Sequence, residues 1–334
     1  MPSKTITHLT ARSLLAGAAC LGWQPAVAAT TTSLGLPGGC GTASAVGVHR
    51  IEAVSGRSAA FEAGALHIQL PPVHAGRDKE TDPSPSFAAA SLHVDSRGVQ
   101  TTPEALERAS TAAGAALLIA LTGTGRSGCP ADVLQAAAYP VVDGLLRGGG
   151  YVGSWQGVTL HGAAGHVLAR RMTLRLDGAG GSGPDAPIHI TLSLDGITGS
   201  LTPPTLLPDH LSVAATLPAS SVPTLLSAAG GAAPDARIPV TIDDITVTRG
   251  DATLHGTGTA SAAATPQDSA ADILLTARDF DALVNAAALQ SLTRVHTTLF
   301  LSRLMARQDG DRLQWQVRYG DGLLSVNNVP IPLR

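Results

Sequence analysis

Charge is scarce in this chain. Only 14% of its 334 residues are Asp, Glu, Lys or Arg, against roughly 25% in an average globular domain, which argues against a charge-laced helical bundle and against a highly charged disordered tail. Aromatic residues are scarcer still, at 3%, too few to line a stacking groove for sugars or nucleobases. Lysine occurs only at Lys4 and Lys79, and the short group Arg170, Arg171 and Arg175 is too small for a nucleic-acid surface. Beyond residue 28 no stretch approaches eighteen apolar residues without a Gly or Pro, so no membrane-spanning helix is expected in the mature chain. What abounds is Gly, at 37 residues, and Pro, at 22, which punctuate a chain into short elements.

The first 28 residues read as an export signal. Lys4 and Arg12 give a positive start, Ser13 to Trp23 is mostly apolar, and Ala26-Val27-Ala28 supplies the small-x-small pattern accepted by signal peptidase. A bilayer span needs ~20 apolar residues, and Leu14 to Leu21 falls far short. Cleavage after Ala28 places the mature protein in the periplasm; the alternative is lipid attachment at Cys20. Loss of Lys4 and Arg12 moves the formal charge from -3 to -5. Cys40 and Cys129 then remain as a candidate disulfide, since exported proteins oxidise such pairs. Bonded, they would close a loop of about ninety residues, a constraint of roughly 4 to 5 kcal/mol on the unfolded chain.

Alternation of period two dominates the remainder. In Asp251 to Ala262 the odd positions are polar, among them Thr253, His255 and Thr257, while Leu254, Gly256, Gly258 and Ala260 share the other face. The preceding run, Val240 and Ile242 then Ile245 and Val247, changes phase across Asp243 and Asp244, which predicts a β-bulge there. Residues 238 to 262 are therefore expected to form a hairpin turned at Arg249, Gly250 and Asp251, with Asp272 to Ala277 as a third strand. Thr173 to Gly178 and Thr191 to Gly196 are alike, both ending in Asp-Gly, and read as neighbouring strands of a meander. Further strands are expected at residues 45 to 54, 65 to 70, 92 to 94, 151 to 160 and 211 to 217, with a terminal hairpin through Leu313, Trp315, Val317, Leu324 and Val326.

Helices are expected to be few. Thr102-Pro103-Glu104 starts one that runs to Ala113, Pro130 opens another to Ala138, and Ser221 caps a short one to Ser227. Asp279 caps a helix carrying Phe280, Leu283, Val284 and Ala287, and Ser291 caps one carrying Val295, Leu299 and Met305. The fold class is thus mainly β with minor helices: extended, curved antiparallel sheet with short covering helices. Its parts are a signal peptide over 1–28, an N-terminal β-rich half over 29–204, and a C-terminal β-rich half with helices over 205–334, the halves packed as one unit.

No coherent catalytic, cofactor or metal set emerges. Gly123-Thr124-Gly125-Arg126-Ser127-Gly128 spells a dinucleotide fingerprint, but Cys129-Pro130 follows at once and the surrounding pattern is antiparallel sheet, so a turn is expected. His161 and His166 lack a partner at ligand spacing, and His67, His189 and His255 each fall on the polar face of a strand. Asp243 and Asp244 suit a bulge better than a glycosidase pair, and Asp279 and Asp281 suit a helix start. Catalytic, cofactor and metal residues are accordingly expected to be none.

Gly150 to Gly157, Leu207 to Val213, and the landmarks Ile242, Arg249-Gly250, His255-Gly256-Thr257-Gly258 and Asp279-Phe280-Asp281-Ala282-Leu283 resemble those of an exported alphaproteobacterial family known as a domain of unknown function. Asp321 to Asn328 is similar in style to the closing strand of AsmA-like envelope proteins. The resemblance implies an envelope location, with lipid or outer-membrane components as partners, and it brings no catalytic residues. The expected function is a non-enzymatic periplasmic protein of the cell envelope that binds lipid or a hydrophobic partner. A hydrolase with a dispersed Ser/His/Asp site and a purely structural association module are the alternatives.

Overall fold

In the computed structural model, residues 30–36, 40–52, 58–71, 84–122, 131–162, 165–178, 180, 185–200, 207–222, 224, 237–263, 267–289 and 292–331 are described. They form one antiparallel sheet that does not close, with four helices. The first strands are β1 (Thr31–Ser33), β2 (Thr42–Val46), β3 (His49–Glu52), β4 (Ala59–Ala63), β5 (Leu66–Gln69), β6 (Ser86–Ala89) and β7 (Ser91–Arg97). Helices α1 (Pro103–Thr122) and α2 (Ala131–Leu146) follow, then β8 (Gly150–Gly162), β9 (Gly165–Gly178), β10 (Pro187–Asp195), β11 (Thr198–Gly199) and β12 (His210–Pro218). Next come β13 (Ile238–Arg249), β14 (Ala252–Ala262), β15 (Ala270–Arg278), α3 (Phe280–Leu289) and α4 (Thr293–Met305). The chain ends with β16 (Arg307–Asp309), β17 (Arg312–Gly320), β18 (Leu323–Val326) and β19 (Val329–Ile331).

The topology is a meander. β2 and β3 pair with β5 and β4 in one register, as do β5 and β4 with β6 and β7, so each pair is a single long strand with a bend. The bends fall opposite one another at Gly47, Gly64 and Ala90, and Gly157 of β8 faces Ala90 across the next ladder. Backbone bonds hold the line together: Gly64 N–H donates to the Val46 carbonyl at 2.6 Å and Ala90 N–H to Gln156 at 2.8 Å. Glycine is required at Gly157 because its φ is +58° and a Cβ there would lie 3.1 Å from that of Ala90.

Cross-strand partners point to the same face. The register therefore lines up Phe61, Val94, Gly153, Leu174 and Leu192 across β4, β7, β8, β9 and β10. It continues through Val213, Ile245, Gly256, Leu275 and Trp315 on β12, β13, β14, β15 and β17. This survives the phase change in β13 because the pairing skips Asp243 and Asp244 between Ile242 and Ile245, the bulge that the sequence demands. The helix pairs sit at the two ends of the apolar face. α1 packs across the β3 to β8 region with α2 beside it, and Arg50 of β3 donates to the buried Glu107 of α1 at 2.9 Å. α3 and α4 close the other end, where the rings of Phe280 and Trp315 lie 5.3 Å apart and Trp315 Nε1 donates to the Ser302 carbonyl at 2.7 Å.

The strands expected at 173–178 and 191–196 are neighbours, with Leu174 opposite Leu192, and the hairpin, third strand and terminal hairpin lie where alternation puts them. The helices differ. The apolar run Ala115 to Leu121 extends α1 instead of leaving it, burying Ala115 and Leu118, and α2 continues through Pro140 to Leu146. Burial of one apolar face outweighs the single backbone donor that Pro140 lacks. Asp279 has a φ of +50°, and its carbonyl accepts from Ala282 N–H as α3 begins. Ser291 lies outside the described residues, and Leu292 stands at the cap of α4 with no side-chain bond. Most of the helix expected at Ser221 to Ser227 also lies outside them; Ser221 itself ends a 3-10 turn over Ala219–Ser221.

Gly157→Ala should destabilise the protein by about 1 to 2 kcal/mol, the cost of a left-handed backbone at a residue bearing a Cβ, visible as a melting temperature lowered by several degrees. An unchanged melting temperature would show that the bend tolerates ordinary backbone.

Candidate functional site

Beneath α1 and α2 the sheet does not meet the helices completely, and a cavity of 260 Å³ remains. Its floor is the apolar face of β7 to β10, including Val94, Gly153, Leu174 and Ile190; Leu106, Ala109 and Ala113 of α1 and Ala138, Val141 and Leu145 of α2 form the roof. Four of the roof residues, Ala109, Ala112, Ala113 and Ala138, are alanines, and their short side chains help to leave the space open. Gly153 contributes too: a Cβ there would lie 2.7 Å from Cη2 of Trp155, so its absence lets the indole lie over the strand. Gly144 of α2 is required in the same way, since a Cβ would collide with the Tyr151 hydroxyl.

Almost nothing polar reaches this space. The Ser110 hydroxyl is turned back to the Glu107 carbonyl at 2.9 Å, and the Tyr151 hydroxyl points at the Pro140 carbonyl at 3.5 Å. Trp155 is 1% exposed, and its Nε1 has no acceptor among the described residues. An apolar cavity of this kind stays dry and admits hydrocarbon.

The residues weighed for chemistry are scattered. His161 and His166 face each other at the end of β8 and β9 with ring centroids 5.7 Å apart. Ser200 Oγ lies 3.0 Å from His166 Nδ1, but it also accepts the His166 backbone N–H, so it is a strand-end clasp. On the polar face, His189 contacts Thr216 at 2.8 Å and Thr216 donates to Asp243 at 2.6 Å; Thr246 donates to Asp244 at 2.7 Å and lies 3.1 Å from His255. Both bulge aspartates are thus held by threonines on an exposed surface. His67 is also exposed. Among the described residues no group of three His, Cys, Asp or Glu is arranged to hold a metal, and no helix is long and apolar enough to cross a membrane. Gly123 to Gly128 and Cys129 lie outside the described residues; Cys40 is wholly buried.

A second apolar feature is on the surface of α3 and α4, where Leu289 is 87%, Phe300 45%, Leu301 52% and Leu304 62% exposed. Comparison with known proteins finds no family model, no curated protein and no solved structure that matches this chain.

The cavity residues escaped the sequence reading. Ala109, Ala113 and Ala138 look like ordinary helix formers, and Gly153 like one more glycine. The available signal was the three- and four-residue spacing of small side chains on α1 opposite a strand carrying Tyr151 and Trp155.

Burial pushes the Tyr151 phenol up to about 12, with Arg147 opposing and Asp143 adding to the shift. Because this lies above the ordinary value near 10, its contribution to stability is complete below pH 10 and is lost as pH rises toward 12. In ultraviolet titration, subtracting Tyr151→Phe from the parent protein should leave a phenolate step near pH 12; a step near 10 would contradict burial against the cavity.

Proposed function

We propose that this is a non-enzymatic protein of the cell envelope, exported to the periplasm, that binds a hydrophobic ligand between its first helix pair and the sheet. The observation that carries the reading is the 260 Å³ cavity with an apolar lining. Scaled from the ~150 Å³ apolar cavity that admits benzene, it holds roughly eight to ten carbons of a chain. The export pattern at residues 1 to 28 and the envelope-family resemblance support the location, and the expected Cys40 to Cys129 bond belongs to the same compartment. A second reading, association with an envelope protein, is favoured by the exposed Phe300, Leu301 and Leu304 on α4.

Two substitutions separate a ligand site from a packing defect. Ala109→Leu and Ala138→Leu fill the cavity, so each should leave the unliganded protein as stable or more stable, by up to about 1 to 2 kcal/mol. Each should also weaken binding of a decanoyl ligand at least tenfold, read from Trp155 emission in a Trp315→Phe background. Undiminished binding in both would refute the assignment. Denatured, unreduced exported protein should present no alkylatable thiol at Cys40 or Cys129, and two reactive thiols would refute the bond.

A further inference from the structure

The wall of the cavity carries a hydrogen-bond donor that the fold leaves unused. Three of the lining residues have polar side-chain atoms, Ser110, Tyr151 and Trp155. The Ser110 hydroxyl donates to the Glu107 carbonyl at 2.9 Å, and the Tyr151 hydroxyl is directed to the Pro140 carbonyl at 3.5 Å. Trp155 Nε1 has no partner among the described residues, although Trp155 is only 1% exposed. Such atoms are rare in folded proteins, because a buried N–H gives up water and gets nothing in return. An indole this deep does not reach bulk solvent. A lining with so little polar surface does not order a water either, since a buried water needs roughly two to four polar partners. The missing acceptor is therefore one that a guest would bring.

The lining also limits what that acceptor can be. No charged side chain is among the lining residues, so a buried carboxylate would lose its hydration with no cation to offset the loss. An amide or an alcohol brings a donor that needs a partner of its own, whereas an ester brings acceptors only. The position of the indole suits a short acyl chain. Tyr151, Gly153 and Trp155 lie on one face of β8, and the indole covers Gly153, its Cη2 2.7 Å from where a Cβ would stand. From Trp155 to Tyr151 is four residues of strand, roughly 13 Å at ~3.3 Å each.

Resting on the cavity as a ligand site, we propose that its ligand class is a neutral medium-chain acyl ester, whose carbonyl oxygen accepts the Trp155 Nε1–H while the chain fills the space beneath the alanines of α1 and α2. Trp155 is then the residue that sets specificity. It distinguishes an ester from an alkane of similar length, and the uncharged lining excludes the free fatty acid.

Methyl octanoate, ionised octanoate and nonane, titrated into delipidated full-length mature protein in the Trp315→Phe background, test this. With Trp23 in the export signal, Trp155 is the one indole left, and its N–H is a single resonance in isotope-labelled protein. Methyl octanoate should move that proton downfield, and nonane should bind without moving it. Octanoate should bind roughly tenfold or more weakly than its methyl ester. Trp155→benzothienylalanine keeps the shape of the ring and lacks the N–H. It should weaken methyl octanoate roughly fivefold or more and leave nonane within about twofold. An ester that binds without moving the indole proton and without loss in the analogue would overturn the ester assignment and leave the cavity site standing. Octanoate that binds as tightly as its ester would do the same. Failure of all three to bind folded protein would overturn the cavity reading and the ester assignment with it.

Discussion

The structure depends on side-chain alternation kept in register from strand to strand. In a meander each new strand pairs with the one just made, so a one-residue slip anywhere would turn every later apolar side chain outward. Ten strands place one residue each on the row from Phe61 to Trp315, and the bulge at Asp243 and Asp244 preserves the row where the β13 sequence changes phase. The bend line at Gly47, Gly64, Ala90 and Gly157 acts in the other direction, turning the N-terminal strands around α1 without altering who pairs with whom.

The cavity follows from a mismatch between the two layers. The floor supplies branched apolar side chains at nearly every position of the row, while the roof presents Ala109, Ala113 and Ala138, and Gly153 interrupts the floor where Trp155 turns over it. A core selected for stability alone would fill this volume with leucine. The lining is almost wholly apolar, with the Tyr151 hydroxyl directed to the Pro140 carbonyl, and such a space suits hydrocarbon.

Much of the sheet is legible in the sequence. Leu254, Leu192 and Leu313 announce their strands by alternation, the two Asp-Gly segments announce adjacent strands, and the phase change at Asp243 announces the bulge. The helices are harder, since Ala115 to Leu121 has no period to distinguish a buried helix from a strand, and the helix expected to end at Ala138 continues through Pro140 to Leu146 because packing carries it. The site was not legible at all. A cavity is an absence of side chains between elements distant in sequence, and Ala109 and Gly153 reveal it only when α1 lies over β8.

The proposed role turns on the apolar space beneath the first helix pair and on hydrocarbon as its occupant. Native mass spectrometry of the exported protein, purified without detergent, tests that claim most directly. The expected spectrum holds the mature chain with a copurified acyl-bearing adduct that disappears on delipidation and returns with envelope lipid extract. A folded protein that shows only its bare mass before and after exposure to that extract would contradict it.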